Sequence, residues 1–368
     1  MRLFLLFAIA LLCSCSRQEQ SSNIKTLSFG DNNEFDINDV MACKFIPLET
    51  SEDCLISKVE QIIINENKIY INSGKDKLLV FDTSGKFITQ IGNKGNGPGE
   101  YRSIWNFHVD NKKQILTVAD AGQNRIIYYS LGDYRHIETK TLFYFTDCCW
   151  LSDNNIAWLF WGGYESKDKD RYYIKITDER LNELKLLHPL DYKFTYPVLC
   201  GSQFYTLNQK SYLNLPYTPA IYEITSQSIT PSYRLSLGQH KFAPSEWMEK
   251  EAERDYSAIV QTDYISSQNV KETDNYISVS YYAKGANAFI GFYNKKTGQS
   301  CKYPLPEFIR HTGLTGTDIV VDTFKDSFIT CLDASVLKRY PNSKIAKLKI
   351  ISENINEEDN PVICFIKL

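Results

Sequence analysis

The chain has 368 residues, of which 43% are hydrophobic, and this content excludes intrinsic disorder as a general description. Its formal net charge is −3 and no basic stripe stands out, so we do not expect a nucleic-acid partner. With 24 Tyr and 20 Phe, and with many Val, Ile and Thr, the composition favours β-strands. We therefore expect a folded, strand-rich protein of one large domain or two ordinary ones.

The N-terminus, MRLFLLFAIALLCSC, has the pattern of an export signal, in which Arg2 precedes an apolar run from Leu3 to Leu12. A helix of ten residues is about 15 Å long, roughly half the hydrocarbon thickness of a bilayer, so the run is too short to span a membrane. Its end resembles a bacterial lipoprotein box. Cys15 fits the lipidated position better than Cys13, because a small residue precedes it. An ordinary cleaved signal is the alternative.

On this basis we divide the chain into a lipoprotein signal peptide (1–15), a polar tether (16–30) and a folded domain (31–368). The predicted location is the cell envelope, with a lipid anchor on Cys15 and the domain facing the periplasm or the cell surface. The membrane is then contacted only through this anchor.

Eight further cysteines are scattered along the chain, without a Cys-x-x-Cys pair and without a histidine at metal-ligand spacing. An exported chain can form disulfides. We nevertheless expect most of these cysteines to be small buried hydrophobic residues, because their neighbours are apolar. Cys43 with Cys54 is the one local disulfide that we consider.

Short apolar runs separated by turn residues recur along the body of the chain. The first unit, Lys68–Gly92, contains three successive strands, and its DTSGK segment has the composition of a hairpin turn. Similar segments lie at 114–142, 155–187, 203–237 and 276–305, and a sixth begins at 318–334 and takes a further strand from the C-terminal PVICFIKL. A repeat of about 40 to 50 residues, with about four strands in each unit, is typical of a β-propeller.

We therefore predict an all-β fold, a single six-bladed β-propeller of four-stranded antiparallel blades with short helical insertions. The N-terminal strand around Ala42–Leu48 is expected to pair with the last blade and close the ring. Residues 243–264, with Ser245 as N-cap, predict a helical insertion between the fourth and fifth blades. Residues 334–360 predict two short helices broken near Pro341. Insertions of this kind lie on a propeller's faces, where they either narrow the channel mouth or only cover the surface.

The glycine-rich stretch IGNKGNGPGEYRSIWNF, Ile91–Phe107, raises the question of a phosphate-binding loop. Pro98 occupies the position at which a P-loop requires lysine, and Glu100 occupies that of the third glycine of a dinucleotide-binding motif. The residues that follow alternate as in a strand, whereas both motifs open a helix. We therefore predict a tight connection from the outer strand of one blade to the inner strand of the next, in which glycines supply positive φ. This connection would bring Glu100, Tyr101 and Arg102 near the channel mouth, as ligand-binding residues or as purely structural ones.

IGNKGNGPGEY resembles the motif iG..G.GPGEY of the six-bladed β-propeller lipoproteins common in gut-dwelling Gram-negative anaerobes. FIPLET, NPVICFIKL and the lipoprotein signal also match, so the resemblance covers essentially the whole mature chain. VADAGQNRIIYY is in addition similar to the NHL repeat, which implies that Asp120, Asn124 and Arg125 join neighbouring blades, although the later blades depart from that pattern. The resemblance implies a fold and a location, but no established activity.

Four aromatic residues are concentrated in one predicted blade: Trp150, Trp158, Trp161 and Tyr164. Large rings fill the gaps between sheets, and this is the expected role of Trp150 and Trp158. Trp161 and Tyr164 flank a Gly-Gly pair, which indicates a turn at the surface. They are candidates to stack on a ligand such as a sugar or a peptide, with core packing as the alternative. The five histidines are far apart in sequence, and each is expected at the surface or at an edge.

The sequence contains no G-x-S-x-G, His-Glu-x-x-His or EF-hand motif. Our first hypothesis is a non-catalytic binding or scaffold module that recognises a glycan, a peptide or an envelope protein through one face of the propeller. The alternative is a metal-dependent hydrolase or lyase of the lactonase type, since gluconolactonase-like propellers bind a divalent metal at the channel mouth. Calcium with oxygen ligands would fit such a site, and its candidate ligands are Glu60, Glu100, Asp147 and Asn269. We expect binding rather than catalysis.

Overall fold

The computed structural model describes residues 24–160, 173–187, 202–247, 262–265, 267–284, 287–316, 320–341 and 343–368. These residues form six mainly antiparallel sheets and one short two-stranded pair. The first strand of each large sheet contacts the first strand of the next, and these contacts close into a ring. The protein is therefore a six-bladed β-propeller, as the repeat predicts.

In each blade, the first strand lines the central channel and the fourth lies toward the outer edge. Blade 1 comprises Val59–Asn65, Lys68–Ser73, Lys77–Asp82 and Phe87–Gln90. Blade 2 comprises Ile104–Asp110, Ile115–Asp120, Arg125–Ser130 and His136–Thr141. Blade 3 comprises Asp147–Trp150, Ile156–Phe160, Tyr173–Thr177 and Glu183–Leu187.

The remaining blades follow in chain order. Blade 4 comprises Phe204–Leu207, Lys210–Asn214, Ala220–Ile224 and Ile229–Ser236. Blade 5 comprises Ser267–Glu272, Tyr276–Ala283, Asn287–Asn294 and Ser300–Pro304. Blade 6 comprises Asp322–Phe324, Ser327–Leu332, Val362–Lys367 and the N-terminal strand Ala42–Pro47.

Blade 6 is built from both ends of the chain. Ala42–Pro47 pairs antiparallel with Val362–Lys367, with Ala42 opposite Lys367 and Pro47 opposite Val362. The predicted closure of the ring by the N-terminal strand is therefore confirmed. Because the blade needs a strand from each end, its sheet is complete only when the whole ring has formed.

A further strand lies upstream of the predicted domain boundary at residue 31. Lys25–Ser28, inside the segment predicted as tether, pairs in parallel with Ile229–Ser236 at the outer edge of blade 4. Leu27 and Phe29 are buried in the core between blades 4 and 5. Burial of these apolar side chains explains why the segment joins the sheet.

Each blade packs on its neighbours through apolar side chains on both faces. All five residues of Ile156–Phe160 are buried, as expected for a strand enclosed on two sides. Trp158 fills the gap between blades 2 and 3, and its Nε1 donates a hydrogen bond to Thr177 Oγ1 (2.9 Å). The expected core role of Trp158 is thereby confirmed.

A polar side chain also bonds across each of the six gaps between blades. Gln61 Nε2 donates to Asn106 Oδ1 (2.8 Å) from blade 1 to blade 2, and Asn106 Nδ2 donates to Cys148 O (2.8 Å) from blade 2 to blade 3. In blade 3, Asp147 accepts from the backbone N–H of Gln203 at the start of blade 4 (2.6 Å). These bonds fix the spacing of the first strands.

The other three gaps are bridged in the same way. Asn214 Nδ2 of blade 4 donates to Gln268 O of blade 5 (3.1 Å). Asn269 Nδ2 of blade 5 donates to Val320 O, just before blade 6 (3.0 Å). Asn360 of blade 6 bonds the connection that enters blade 1, and the ring of polar bonds is thus continuous.

Helices occupy the connections. Their bounds are Ile37–Val40, Ser245–Trp247, Leu305–Thr312, Ala334–Arg339 and Ala346–Asn354, with a 3₁₀ turn at Glu52–Cys54. The two short helices predicted on either side of Pro341 are confirmed. Of the predicted insertion at 243–264, the structure describes the first helical turn and residues 262–265. Within the described part of the chain, no helix has the length and apolarity needed to cross a bilayer.

The Cys43–Cys54 disulfide considered from the sequence is absent, because both cysteines are free. Cys54 lies in the 3₁₀ turn, where its thiol donates to Glu49 O (3.2 Å). Cys43 lies on the outermost strand of blade 6, next to Cys364 of the adjoining strand. The two partners therefore belong to different packing environments, and their short sequence separation was misleading.

Because Asn360 closes the ring of polar bonds between blades and is 2% exposed, its substitution should lower the stability of the protein strongly. Its Nδ2 donates to Glu49 O and Cys54 O, and its Oδ1 accepts from Ile56 N (2.7, 2.9 and 2.8 Å). Asn360→Ala leaves these groups unsatisfied, and we expect a loss of about 2–4 kcal/mol in the free energy of unfolding. Urea denaturation followed by fluorescence measures it. Asn356→Ala, at an exposed position of the same segment, is the control and should change stability by less than about 0.5 kcal/mol. If the two substitutions lowered the free energy of unfolding equally, the hydrogen bonds of Asn360 would not have the proposed stabilising role.

Candidate functional site

A cavity of ≈ 530 Å³ lies on the axis of the ring, with lining residues from the first strands of all six blades. Its described lining combines aromatic rings, amides, hydroxyl groups, two lysines and two carboxylates. Each first strand is held in a sheet and bonded to its neighbours, so rigid backbone positions these side chains. The cavity has the size and mixed polarity of a small-molecule site.

Blade 5 gives the cavity a polar wall. Three pairs of residues share one face of its first two strands: Ser267 with Tyr282, Asn269 with Ser280, and Lys271 with Ser278. The opposite face of these strands is mostly apolar and packs against blade 4. We call these six residues the blade 5 wall, and all of them except Ser278 line the cavity. The bond from Asn269 to Val320 shows that this wall faces blade 6.

Lys271 is a largely buried lysine whose ammonium group has no bonded partner among the described residues. It is 6% exposed, and within the described ranges its Nζ makes no hydrogen bond or ion pair. Asp322 of blade 6 also lines the cavity, and it lies beyond the 4.0 Å limit of an ion pair with Lys271. Burial raises the pKa of Asp322, while the charge of Lys271 acts to lower it. The two charges thus influence each other without touching.

Two hydroxyl groups on the same wall are also unsatisfied. Ser278 Oγ and Ser280 Oγ are buried and have no hydrogen-bond partner within the described residues. A buried polar group left without a partner costs about 1–3 kcal/mol, and native proteins contain few of them. The blade 5 wall therefore has hydrogen-bonding capacity that the fold does not use.

Across the ring from blade 5, His108 and Trp150 form an aromatic pair. Their ring centroids are 5.0 Å apart, and their planes differ by 9°. Burial lowers the pKa of His108 to about 4, so the imidazole is neutral at neutral pH. Trp150 packs partly between blades 2 and 3, as expected, and the rest of its surface lines the cavity. The expectation that His108 lies at the surface or at an edge is wrong, because strand alternation turns it into the channel.

Asp147, a predicted metal ligand, is fully committed to bonds between blades. Its carboxylate accepts from Cys148 N (2.8 Å), Gln203 N (2.6 Å) and Ser202 Oγ (3.0 Å). Burial raises the pKa of Asp147, whereas these donors lower it. The side chain joins blades 3 and 4, and its lone pairs are directed at them.

The other predicted metal ligands lie apart from one another. Glu60 lines the cavity and pairs with Lys58 (3.2 Å), whereas Asn269 donates to blade 6. Glu100 belongs to the connection between blades 1 and 2. Among the residues that the structure describes, no group of three or more His, Cys, Asp or Glu side chains is arranged to hold a metal ion.

The glycine-rich stretch connects the outer strand of blade 1 to the inner strand of blade 2, as predicted. Glu100 Oε2 accepts from Gly97 N (2.7 Å) inside the loop. Tyr101 is 0% exposed; its hydroxyl donates to Ile91 O (2.8 Å) and accepts from Leu78 N (3.1 Å). Both side chains are engaged in bonds that shape the connection.

Backbone conformation explains the glycines. Gly99 has φ +72°, and a Cβ at this position would lie 2.7 Å from the Cβ of His136. Asp120 then anchors the loop, because its carboxylate accepts from Arg102 N (3.1 Å), and Arg125 Nη2 donates to Glu100 O (2.7 Å). The Arg102 side chain is exposed. Ligand binding by Glu100, Tyr101 and Arg102 stays a prediction.

Three predicted functional residues lie outside the described residues: Cys15, Trp161 and Tyr164. Lipidation of Cys15 and ligand stacking by the two aromatic residues therefore stay predictions.

Lys271, Asp322, Ser278 and Ser280 are not among the residues that the sequence patterns single out. The signal that could have found them is alternation. SQNVK has a polar residue at every second position of its strand, and ISVS repeats this in the next strand. Because neighbouring blades enclose both faces of inner strands, a polar face there indicates a polar channel or cleft.

Comparison with known proteins agrees with the observed fold. A family model described as "6-bladed beta-propeller" matches residues 16–331. The crystal structure of a protein from Bacteroides fragilis, described as exported, has a TM-score of 0.86 and 27% identity, and the match covers 94% of this chain and 99% of that chain. A member of the duf4221 family from Bacteroides vulgatus has a TM-score of 0.55 and 10% identity, covering 90% of this chain and 99% of that chain. No curated protein matches the sequence.

Burial of His108 predicts a pH-dependent stability. The pKa of His108 is about 4 in the folded protein, below its ordinary value of 6.5. Between pH 6.5 and pH 4, His108 is therefore protonated in the unfolded chain but not in the folded protein, and this favours unfolding. Stability associated with this residue is therefore present above pH 6.5 and is lost toward pH 4. Between pH 7 and pH 4.5, wild type should lose about 2 kcal/mol more than His108→Gln.

Urea denaturation of the two proteins at each pH measures this difference. His240, whose pKa burial also lowers to about 4, is present in both proteins and cancels. Parallel pH profiles for wild type and variant would show that His108 is not the group that titrates.

Proposed function

Because this chain belongs to the DUF5128 family of 6-bladed beta-propellers, we propose that it is an exported, non-catalytic binding protein that takes a small polar ligand into the central cavity. The observation that carries the proposal is the cavity itself, of ≈ 530 Å³, with its unused polar groups on one side and an aromatic pair on the other. A preformed site of this kind loses little conformational entropy when it binds.

The size of the cavity favours some of the partners considered from the sequence (a glycan, a peptide or an envelope protein) over others. A glycan unit or a short peptide segment fits a cavity of several hundred cubic ångströms. A whole envelope protein would instead contact a face of the propeller. We therefore propose a small ligand, or a small terminal group of a larger one, as the occupant.

We propose no catalytic step. A hydrolase of the lactonase type needs several oxygen ligands that converge on one metal ion. Of its four candidate ligands, Asp147 is committed to blades 3 and 4 and Glu100 to a connecting loop. Glu60 and Asn269 also have partners, so the described residues give this alternative no support.

The proposed location is the cell envelope, with a lipid on Cys15. The related Bacteroides fragilis protein is described as exported, which supports export of this chain as well. Nine residues, 16–24, separate Cys15 from the strand at Lys25. Such a segment spans at most about 30 Å, so the propeller would stay close to the bilayer with the edge of blade 4 nearest the anchor.

Filling the cavity should abolish binding. Thr206 lines the cavity and is exposed to it, so Thr206→Trp adds a large ring inside the channel. Calorimetry with a panel of mono- and disaccharides and short peptides is expected to find saturable binding to wild type, weakened at least about tenfold in the variant.

Thr141→Trp, on the exposed outer strand of blade 2, is the control and should bind like wild type. No binding of any panel member to wild type, or equal binding by Thr206→Trp, would overturn the cavity as the site.

A further inference from the structure

We propose that the ligand is a neutral saccharide whose hydroxyl groups bridge Lys271 and Asp322 across the gap between blades 5 and 6. This inference rests on the proposed function and specifies the ligand of the same cavity. Four features of the site carry it: an unpartnered ammonium group, an unpartnered hydroxyl on Ser280, a balance of charges and an aromatic surface.

Among the described residues, Lys271 lacks the hydrogen-bond and ion-pair partners that another lysine with a buried side chain, Lys302, has in the same blade. Lys302 donates to Leu237 O (2.8 Å) and pairs with Asp31 (3.0 Å). Lys271 is as deeply buried in the cavity wall, yet within the described ranges no side chain or carbonyl accepts from it. A bound group with acceptor oxygens would satisfy it with charge-assisted hydrogen bonds.

The charges that line the cavity favour a neutral ligand. Lys58 and Glu60 already neutralise each other at 3.2 Å. Lys271 and Asp322 remain, with opposite charges and no direct bond. An anionic ligand would be attracted by one of the two and repelled by the other, and the same holds for a cation.

A hydroxyl group suits this gap because it is both a donor and an acceptor. It can accept from the ammonium of Lys271 and donate to the carboxylate of Asp322 at the same time, and the two bonds strengthen each other. Ser280, which lines the cavity beside Asn269, can donate or accept a further bond. A molecule with hydroxyls on adjacent carbons would use all of these groups together.

The wall across the ring favours a pyranose over a linear polyol. His108 and Trp150 present stacked rings to the cavity. The C–H face of a sugar ring packs on such a surface, while its hydroxyls project from the edge toward the blade 5 wall. The neutral state of His108 at neutral pH keeps this surface weakly polar.

The test compares neutral sugars with their charged analogues by calorimetry. The probes are glucose, galactose, mannose, xylose and N-acetylglucosamine, together with glucuronate, galacturonate and short peptides. Wild type is expected to bind at least one neutral sugar and to prefer it over the uronates. Lys271→Met and Asp322→Asn should each weaken that binding at least about tenfold.

Thermal unfolding without ligand separates a binding role of Lys271 from a structural one. Lys271→Met removes an unpaired charge from a largely buried side chain, so the melting temperature of this variant should be unchanged or higher. The matched control is Lys302→Met, which breaks a paired lysine outside the cavity. It should lower the melting temperature and leave sugar affinity within about twofold of wild type.

Three results would overturn the inference. One is a preference of wild type for a uronate or a peptide over every neutral sugar. If Thr206→Trp blocks that binding, the cavity is still the binding site, but the ligand is not a neutral saccharide. Another is sugar binding that survives Lys271→Met. The third is the absence of binding by every probe, which removes the saccharide and the proposed function together.

Discussion

The structure depends on hydrogen bonds that run from blade to blade around the channel. Apolar packing between sheets is not directional, and it would allow blades to slide along one another. A buried or half-buried Asn, Gln or Asp side chain at each gap removes this freedom, because it must bond a particular backbone group or stay unsatisfied. Asn106, between Gln61 and the carbonyl of Cys148, is the clearest case. These bonds fix the spacing of the inner strands, and that spacing sets the size of the cavity.

The gap between blades 5 and 6 follows this rule only in part. Asn269 makes its bond to Val320, but the inner strand of blade 6, Asp322–Phe324, has only three residues. On the same wall, Lys271 and Ser278 have no bonded partner within the described residues. This gap therefore leaves an ammonium group and a hydroxyl group without partners among the described residues. Unsatisfied groups that lower stability are a common property of sites evolved to bind something else.

The architecture could be predicted from the sequence because its signals are local or periodic. The repeat length, the turn residues and the strand left over at each end give the blades and their closure. The cavity could not be predicted, since it depends on the arrangement of residues distant in the chain. Lys271 and Asp322 belong to different blades and line the same cavity only when the ring closes. Trp150 shows the same limit. Its strand and partial burial follow from the sequence, but the stacking on His108 from the preceding blade does not.

The glycine-rich stretch shapes the connection between two blades, whereas the cavity is the candidate binding site, so architecture and recognition rest on different residues. Tyr101 is buried with its hydroxyl bonded on both sides, and Asp120 holds the backbone of the same loop. Any change there alters the path between two blades, so such a motif is expected to vary little whatever the protein binds. Side chains on the inner strands, such as Lys271 and Trp150, can change while the backbone ring keeps its geometry. A propeller built in this way can acquire a new ligand by substitutions on those strands, while its connections stay the same.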